Sequence, residues 1–262
     1  MSGVRIGEPV PADRVDLSRL ILRYAVTGLV TLILVSVVTA YVSRGSGSVG
    51  APSRERSTIH RAGSDAVGLG DLSRKEGYIE RQLKRWYRQW EQSKTRELAS
   101  VDTVHEALSA RIPEQGPAAI VHGDYRLDNC LVADDGTIAA VLDWELCTLG
   151  DPLADLGLLL VYWTDPGDER SALPDSATAQ PGFPSKAELV ERYAAASGRD
   201  VSAVDFYVAF GYWKLACILE GVYARYRGGA MGSGQDPSAY DGFALQVDFL
   251  ADAALAAVDR IR

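Results

Sequence analysis

The sequence has few of the side chains that build disulfide frameworks and zinc sites. Its three cysteines, Cys130, Cys147 and Cys217, are odd in number and form no CxxC pair, so reduced thiols in a cytosolic protein are the simplest interpretation. Its three histidines show neither HExxH nor HxxxH spacing, which argues against a zinc centre. The formal net charge of −8 argues against a general nucleic-acid-binding surface.

Lysine is missing from the N-terminal part of the sequence, where the first one is Lys75. Residues 1–66 contain eight arginines and five acidic residues, for a charge of +3. Residues 67–262 contain 19 basic and 30 acidic residues, for a charge of −11. This change of composition predicts an atypical N-terminal segment over 1–66 and a separate folded domain over 67–262.

Residues 25–42 form an uncharged run of 18 residues between Arg23 and Arg44. This length is at the lower limit for a helix that crosses a bilayer. Ten of its residues are Val, Ile or Thr, which equally suits buried strands. Two interpretations therefore stay open: a membrane anchor for a cytoplasmic domain, or a segment that packs on protein surface. Residues 43–66 are rich in Gly, Ser and Arg and indicate a flexible linker.

The sequence from Asp71 onward has the periodicity of a mainly helical α+β domain. Apolar residues at helical spacing predict helices over 76–93, 101–111, 153–163, 186–197, 203–226 and 237–260. Short apolar runs predict strands over 118–121, 130–133 and 137–142. The last two strands flank Asp134-Asp-Gly136, so they indicate a small β-hairpin.

Polar side chains of the types that act in catalysis and metal binding cluster around this hairpin. The segment His122-Gly-Asp124 follows the first strand, Asn129 lies five residues after Asp124, and Asp143 ends the second hairpin strand. A tight turn at Gly123 and a short hairpin would bring Asp124, Asn129 and Asp143 together. Carboxylate and amide oxygens suit Mg²⁺, and a carboxylate beside the metal can orient a hydroxyl nucleophile. These are the groups that phosphoryl transfer requires.

The spacing His-x-Asp-x-x-x-x-Asn is that of the protein-kinase catalytic loop. With HGD in place of HRD, it resembles the aminoglycoside phosphotransferase and choline kinase superfamily. The longer segments HGDYRLDN and VLDWELCTLGDPLADLG resemble the kinase-like domains found alone in bacteria or fused to acyl-CoA dehydrogenases. The resemblance covers about residues 67–262. It implies a protein-kinase-like C-terminal lobe, Mg²⁺, ATP as co-substrate and a small-molecule hydroxyl acceptor, either aminoglycoside-like or hydroxyacyl-CoA-like.

The resemblance also implies roles for individual residues in catalysis. Asp124 would accept or orient the proton of the substrate hydroxyl, and Arg126 would meet the transferring phosphoryl group. Asn129 and Asp143 would hold Mg²⁺. His122 would support the loop by hydrogen bonds.

Two further acidic residues, Asp151 and Asp155, are expected to give structural support. Asp155 would tie the backbone of the catalytic loop. Asp151 precedes Pro152 and equally fits a helix cap. No residue that binds the nucleoside is identifiable, and the sequence does not indicate an oligomeric state.

The N-terminal lobe of the resembled family, with its sheet and nucleotide-anchoring lysine, is not recognisable in residues 1–66. We therefore expect this lobe to be truncated or replaced and kinase activity to be weak or absent. A pseudokinase or a membrane-tethered binding module is the alternative. We expect the missing lobe to leave Leu131, Val141 and Leu142 exposed, and the C-terminal helices to form the substrate pocket with Tyr207, Trp213, Glu220, Tyr223 and Arg225.

Overall fold

The computed structural model describes residues 64, 68–132, 138–168, 171–172, 176–180, 182–229 and 240–261. The uncharged run 25–42, nearly all of the predicted linker 43–66 and the hairpin turn at 134–136 lie outside these residues. Among the residues that are described, no helix is both long and apolar enough to cross a bilayer.

The helices have the positions that their apolar periodicity predicts, with ends shifted by at most about one turn. Their bounds are α1 Tyr78–Ser93, α2 Ala99–Ser109, α3 Leu153–Tyr162, α4 Lys186–Ser197, α5 Val204–Arg227 and α6 Asp241–Val258. Local signals fix some of these ends. Helix α4 begins with a capping box in which Ser185 and Glu188 each bond the other's backbone N–H, and it ends at Gly198 in the left-handed conformation.

In the part of the chain that the structure describes, four short strands form two antiparallel pairs. Strand β1 is Ala119–Val121, β2 is Cys130–Val132, β3 is Ile138–Val141 and β4 is Thr148–Gly150. Strands β2 and β3 form the predicted hairpin, in which Cys130 faces Val141. Strand β4 pairs with β1 and was not predicted, because three residues are too few to show an alternating pattern.

Helix α5 is the centre of the helical core and packs against α1, α2, α3 and α6. Its crossing with α3 is unusually close. A Cβ atom added to Gly157 of α3 would overlap the backbone of Tyr207, and one added to Gly211 of α5 would lie 3.0 Å from Val161. Glycine at both positions therefore lets the two helices approach backbone to backbone.

The prediction of which residues on the C-terminal helices form the substrate pocket is wrong. The side chains of Tyr207, Trp213, Glu220 and Tyr223 are buried in the core. Trp213 donates its indole N–H to the carbonyl of Val101. Only Arg225 of the predicted set is exposed. These residues are buried because α5 is covered on several sides, so its aromatic side chains pack against neighbouring helices.

The predicted exposure at the hairpin is correct for two of its three residues. Leu131 and Leu142 are 51% and 44% exposed, whereas Val141 is 1% exposed. In a strand, successive side chains point to opposite faces, so Val141 faces the core while its neighbour Leu142 faces outward. His105 is half-buried, with its ring stacked between those of Tyr87 and Trp213.

Candidate active site

Asp155 anchors the backbone of the loop that follows β1. One carboxylate oxygen accepts the N–H of His122 at 2.6 Å, and the other accepts the N–H of Gly123 at 2.8 Å. The family resemblance implies this tie between Asp155 and the loop backbone, and the structure confirms it. Burial raises the pKa of Asp155, while His122, the two backbone N–H groups and Lys214 oppose the increase. Asp155 sits in the first turn of α3, so the loop is fixed to the helical core.

The ring of His122 connects this loop to the end of β3. Its Nδ1 accepts the backbone N–H of Asp124 at 3.2 Å, and its Nε2 lies 2.8 Å from the carbonyl oxygen of Leu142. A carbonyl can only accept, so Nε2 carries the proton and Nδ1 is the acceptor. The ring of Trp144 lies 4.5 Å from the His122 ring. His122 therefore positions Asp124 on one side and the residue before Asp143 on the other.

Gly123 makes the turn that presents Asp124. Its φ of +87° is in the region that favours glycine. A Cβ atom at this position would also lie 3.1 Å from both the Cβ and the carbonyl oxygen of Leu146. The turn therefore requires glycine for its backbone conformation and for the close approach of the segment after β3.

Asn129 lies directly against Asp124. Its amide nitrogen donates to the Asp124 carbonyl oxygen at 2.8 Å and approaches the Asp124 carboxylate at 3.2 Å. Both partners are acceptors, so they assign the NH₂ group to this side and turn the amide oxygen away. The backbone carbonyl of Asn129 accepts the N–H of Leu142 at 2.7 Å. Leu142 is thus held by Asn129 and His122, which brings Asp143 next to the pair of Asp124 and Asn129.

Asp143 has an unusual backbone conformation. Its φ is 63°, and it is the one non-glycine residue with positive φ among the described residues. Strain of this kind, of order 1–2 kcal/mol, persists where surrounding contacts enforce it and is common at functional sites. The side chain is exposed, and within the described part of the chain its carboxylate makes no hydrogen bond or ion pair. It is therefore available to an external ligand.

The amide oxygen of Asn129 and the carboxylate of Asp143 fit a Mg²⁺ ion. Both are hard oxygen donors, and across the residues described here neither is used by a protein hydrogen bond. Mg²⁺ takes one or two protein oxygens and fills its remaining positions with water and phosphate oxygens. The chemistry of both oxygen donors suits the predicted assignment of these two residues to the metal, which stays a prediction.

The guanidinium of Arg126 lies near two carboxylates of the loop and one aromatic ring. Its guanidinium lies 3.2 Å from Asp128 and 3.7 Å from Asp124, and 5.3 Å from the centre of the Tyr162 ring. The predicted contact between Arg126 and a transferring phosphoryl group stays a prediction. The structure shows a positive charge beside the carboxylate of Asp124.

Asp151 supports the start of α3 and its packing on α5. One carboxylate oxygen accepts the N–H of Leu153 at 3.0 Å, and the other accepts the hydroxyl of Tyr207 at 2.5 Å. Burial raises the pKa of Asp151, while the two hydrogen bonds oppose this increase. Asp151 caps α3, as its place before Pro152 indicates.

Two residues of this site were missed from the sequence. Tyr162, at the end of α3, is buried beside Asp124; burial and the negative charge of that carboxylate raise the pKa of Tyr162. Lys214 of α5 is buried and donates to the carbonyl oxygen of Gly123 at 2.6 Å. The available signal was a lysine four residues after Phe210, on the buried face of a helix.

Comparisons with known proteins found a matching family model and several similar sequences. The sequence matches the model of the phosphotransferase enzyme family over residues 37–207, a range that begins within the N-terminal segment 1–66. It is 32% identical over 171 residues to mouse acyl-CoA dehydrogenase family member 10, covering 64% of this chain and 16% of that protein. It is 31% identical over 204 residues to chicken acyl-CoA dehydrogenase family member 11, covering 75% of this chain and 26% of that protein.

The fold also matches a solved structure. A crystal structure from Ralstonia eutropha, described as an aminoglycoside phosphotransferase, superposes with a TM-score of 0.68 and 28% sequence identity. The match covers 87% of this chain and 66% of the other. By contrast, the chain spans about a quarter or less of the length of the two acyl-CoA dehydrogenase relatives.

Proposed function

The chain belongs to the phosphotransferase enzyme family, and on that premise we propose that it transfers the γ-phosphoryl group of ATP to a hydroxyl group of a small molecule. The observation that carries this proposal is the hydrogen-bonded pair of Asp124 and Asn129, with Asp143 held beside it. This arrangement supports a role for Asp124 as the base for the hydroxyl, beside two oxygen atoms that suit a metal ion.

Each of these residues has a defined task in the proposed reaction. Asp124 orients the acceptor hydroxyl and takes its proton. Asn129 and Asp143 hold Mg²⁺, which when bound neutralises charge on the phosphate oxygens. Arg126 stabilises the negative charge of the transferring group. Little covalent chemistry is required of the protein, so positioning and electrostatics supply most of the rate.

The outer face of the hairpin suits the nucleoside. Leu131 and Leu142 are exposed, and each lies within two residues of a proposed metal ligand. Leu131 is opposite Ala140, and the Asn129 carbonyl bonds Leu142, so the strand alternation puts these residues on one face. An apolar face next to a phosphate-binding site supports binding of the adenine ring there.

The acceptor belongs to one of two chemical classes that both carry hydroxyl groups. Similarity to acyl-CoA dehydrogenase family members supports a hydroxyacyl thioester. Similarity to a protein described as an aminoglycoside phosphotransferase supports an aminoglycoside. Membrane association through residues 25–42 and a cytoplasmic catalytic domain remain proposals.

The test is transfer of γ-³²P from Mg-ATP to a panel of hydroxyacyl-CoA thioesters, aminoglycosides and simple alcohols by the full chain. We expect Asp124→Asn to lower kcat by about 10²–10⁴-fold, because the hydroxyl loses its base. Asp128→Asn is the matched control: Asp128 is 61% exposed, lies four residues away and pairs with Arg126, so its loss should have a much smaller effect.

Transfer that survives Asp124→Asn would overturn the proposed mechanism. Tight binding of Mg-ATP without transfer to any acceptor would instead favour a nucleotide-binding module. Turnover of about 1 per second or faster would contradict the expectation of weak activity.

A further inference from the structure

Lys214 holds the peptide group that carries Asp124. Its ammonium donates to the Gly123 carbonyl at 2.6 Å, from α5 and 91 residues away in sequence. That carbonyl and the N–H of Asp124 belong to the same peptide plane. The N–H of Asp124 is bound by His122, so Lys214 and His122 fix the orientation of this plane from its two edges.

The buried position of Lys214 is unfavourable for the stability of the fold. Its side chain is 5% exposed, and among the described residues its ammonium has one hydrogen-bond acceptor for three hydrogens. The ring of Trp86 lies 5.5 Å from Nζ. A buried cation with one hydrogen bond destabilises the fold unless nearby charges compensate. A buried cation of this kind, beside Asp124, is expected at a functional site.

The charged groups around Lys214 come from three elements. Asp155 of α3 and Asp124 of the loop attract the ammonium, and Arg85 of α1 opposes it. Lys214 therefore reaches the loop from the helical core through the Gly123 carbonyl, whereas Arg126 lies 3.7 Å from the Asp124 carboxylate.

We propose that Lys214 is a positioning residue for the phosphotransfer reaction, which holds the Gly123–Asp124 peptide so that the Asp124 carboxylate faces the acceptor hydroxyl. This inference rests on the proposed function. It assigns Lys214 an effect on the rate of transfer and no direct contact with nucleotide or acceptor. Mispositioning of a catalytic group by about 1 Å lowers rates by about 10²-fold, which sets the expected size of the effect.

The first experiment compares Lys214→Met, Lys214→Arg and Cys217→Ala in the full chain. Methionine keeps the length of the side chain and removes both donor and charge, whereas arginine keeps both. Cys217 is fully buried on the next turn of α5, near Asp102 and Glu220, so it controls for general destabilisation. Kinetic constants are measured with Mg-ATP and the acceptor from the panel, and thermal unfolding is followed in parallel.

We expect Lys214→Met to lower kcat by about 10–100-fold with little change in the KM for ATP, since the metal ligands are not disturbed. Lys214→Arg should retain more activity than Lys214→Met. Cys217→Ala should lower the unfolding midpoint and leave kcat close to wild type. The proposal is wrong if Lys214→Met leaves kcat unchanged, or if Cys217→Ala lowers kcat equally.

A second readout separates this inference from the proposed function. Burial lowers the pKa of Lys214 to about 8, so loss of its proton should shift the backbone amide NMR resonance of Asp124 near that pH. The shift should be absent in Lys214→Met and present in Cys217→Ala. If no acceptor is phosphorylated but this titration is seen, the proposed function fails and the positioning contact stands. An Asp124 amide that is insensitive to Lys214 would overturn the inference even in an active enzyme.

Discussion

At the scale of single residues, Asp143 combines backbone strain with a free carboxylate. Its positive φ favours glycine, yet the position carries an acidic side chain that no described protein group binds. This combination is expected where a side chain that binds a metal ion or a substrate lowers the stability of the fold.

We therefore predict that Asp143→Gly and Asp143→Ala differ in their free energy of unfolding but weaken metal binding to the same extent. Both remove the carboxylate and should weaken binding of Mn²⁺ in the presence of ATP, measured by electron paramagnetic resonance. The glycine variant should be more stable than the alanine variant by about 1 kcal/mol, because alanine retains the strain of a Cβ atom at positive φ. Equal stabilities in urea unfolding would argue against backbone strain at this position.

Asp155 accepts two backbone N–H groups, and an asparagine at this position has only one acceptor oxygen to offer them. Asp155→Asn keeps one acceptor oxygen but turns an NH₂ donor toward the N–H of His122 or Gly123. We predict a loss of about 1–3 kcal/mol in the free energy of unfolding and a loss of phosphotransfer.

Asp151→Asn provides the matched comparison for Asp155→Asn. One partner of Asp151 is the hydroxyl of Tyr207, which can rotate and accept from an amide. The Asp151 variant should therefore lose less stability than the Asp155 variant. The reverse order in chemical denaturation would contradict the assigned hydrogen bonds.

At the scale of elements, a buried carboxylate fastens the connection between α1 and α2 to the core. Glu220 of α5 accepts the N–H and the hydroxyl of Thr95 at 2.6 and 2.7 Å, and Arg96 at 3.1 Å. Arg96 also bonds Asp248 and the carbonyl of Ala244 on α6. Four helices are thus linked through one short connection.

We predict that Glu220→Ala lowers the free energy of unfolding by about 3–5 kcal/mol, because it leaves Thr95 donors and the Arg96 charge without their buried acceptor. Asp248→Ala removes the other carboxylate of the same arginine, but its side chain is 44% exposed. Its effect should stay below about 1 kcal/mol. Similar losses for both variants would show that burial of Glu220 is not what makes this link strong.

The crossing of α3 and α5 gives a second prediction at this scale. Gly157→Ala would place a methyl group against the backbone of Tyr207, and backbone can yield only if the helices separate. We expect a loss of about 1–3 kcal/mol, read from thermal unfolding. Gly242→Ala, in α6 with open space around it, should instead stabilise by about 0.5–1 kcal/mol.

At the scale of the whole molecule, buried Lys214 affects how stability depends on pH. Its pKa is lowered from 10.5 to about 8, mainly by burial. Below pH 8 both folded and unfolded chains bind the proton; between pH 8 and 10.5 the unfolded chain binds it and the folded chain does not. The contribution of Lys214 to stability therefore rises with pH across this window, by up to about 1.4 kcal/mol per pH unit.

Other buried groups act in the opposite direction in the same range. Burial raises the pKa of Cys130 from 9.0 to about 11, so the folded chain keeps a proton that the unfolded chain loses. We therefore predict that wild type gains stability relative to Lys214→Met from pH 8 to 10, because subtraction of the two curves cancels the shared groups. A constant difference in urea unfolding across this range would show that Lys214 keeps its proton.

The sequence by itself determined the features that depend on local spacing. The order His122-Gly-Asp124, Asn129 and Asp143 indicated a site at the end of a hairpin, because residues near a tight turn and a short hairpin must be close in space. Helical periodicity predicted the positions of the helices, because the apolar stripe of an amphipathic helix is visible in its own sequence. These relations need no knowledge of distant contacts.

The tertiary structure alone decided which side chains lie in the site and which in the core. Helix α5 packs against four other helices, so most of its faces are buried and its sequence cannot show which residue meets which partner. Tyr207, Trp213 and Glu220 therefore belong to the core, whereas Lys214 reaches the loop that carries Asp124. Strand β4 exists only through its pairing with β1. Such contacts depend on the packing of segments that are far apart in the chain, and the local spacing of residues does not predict them.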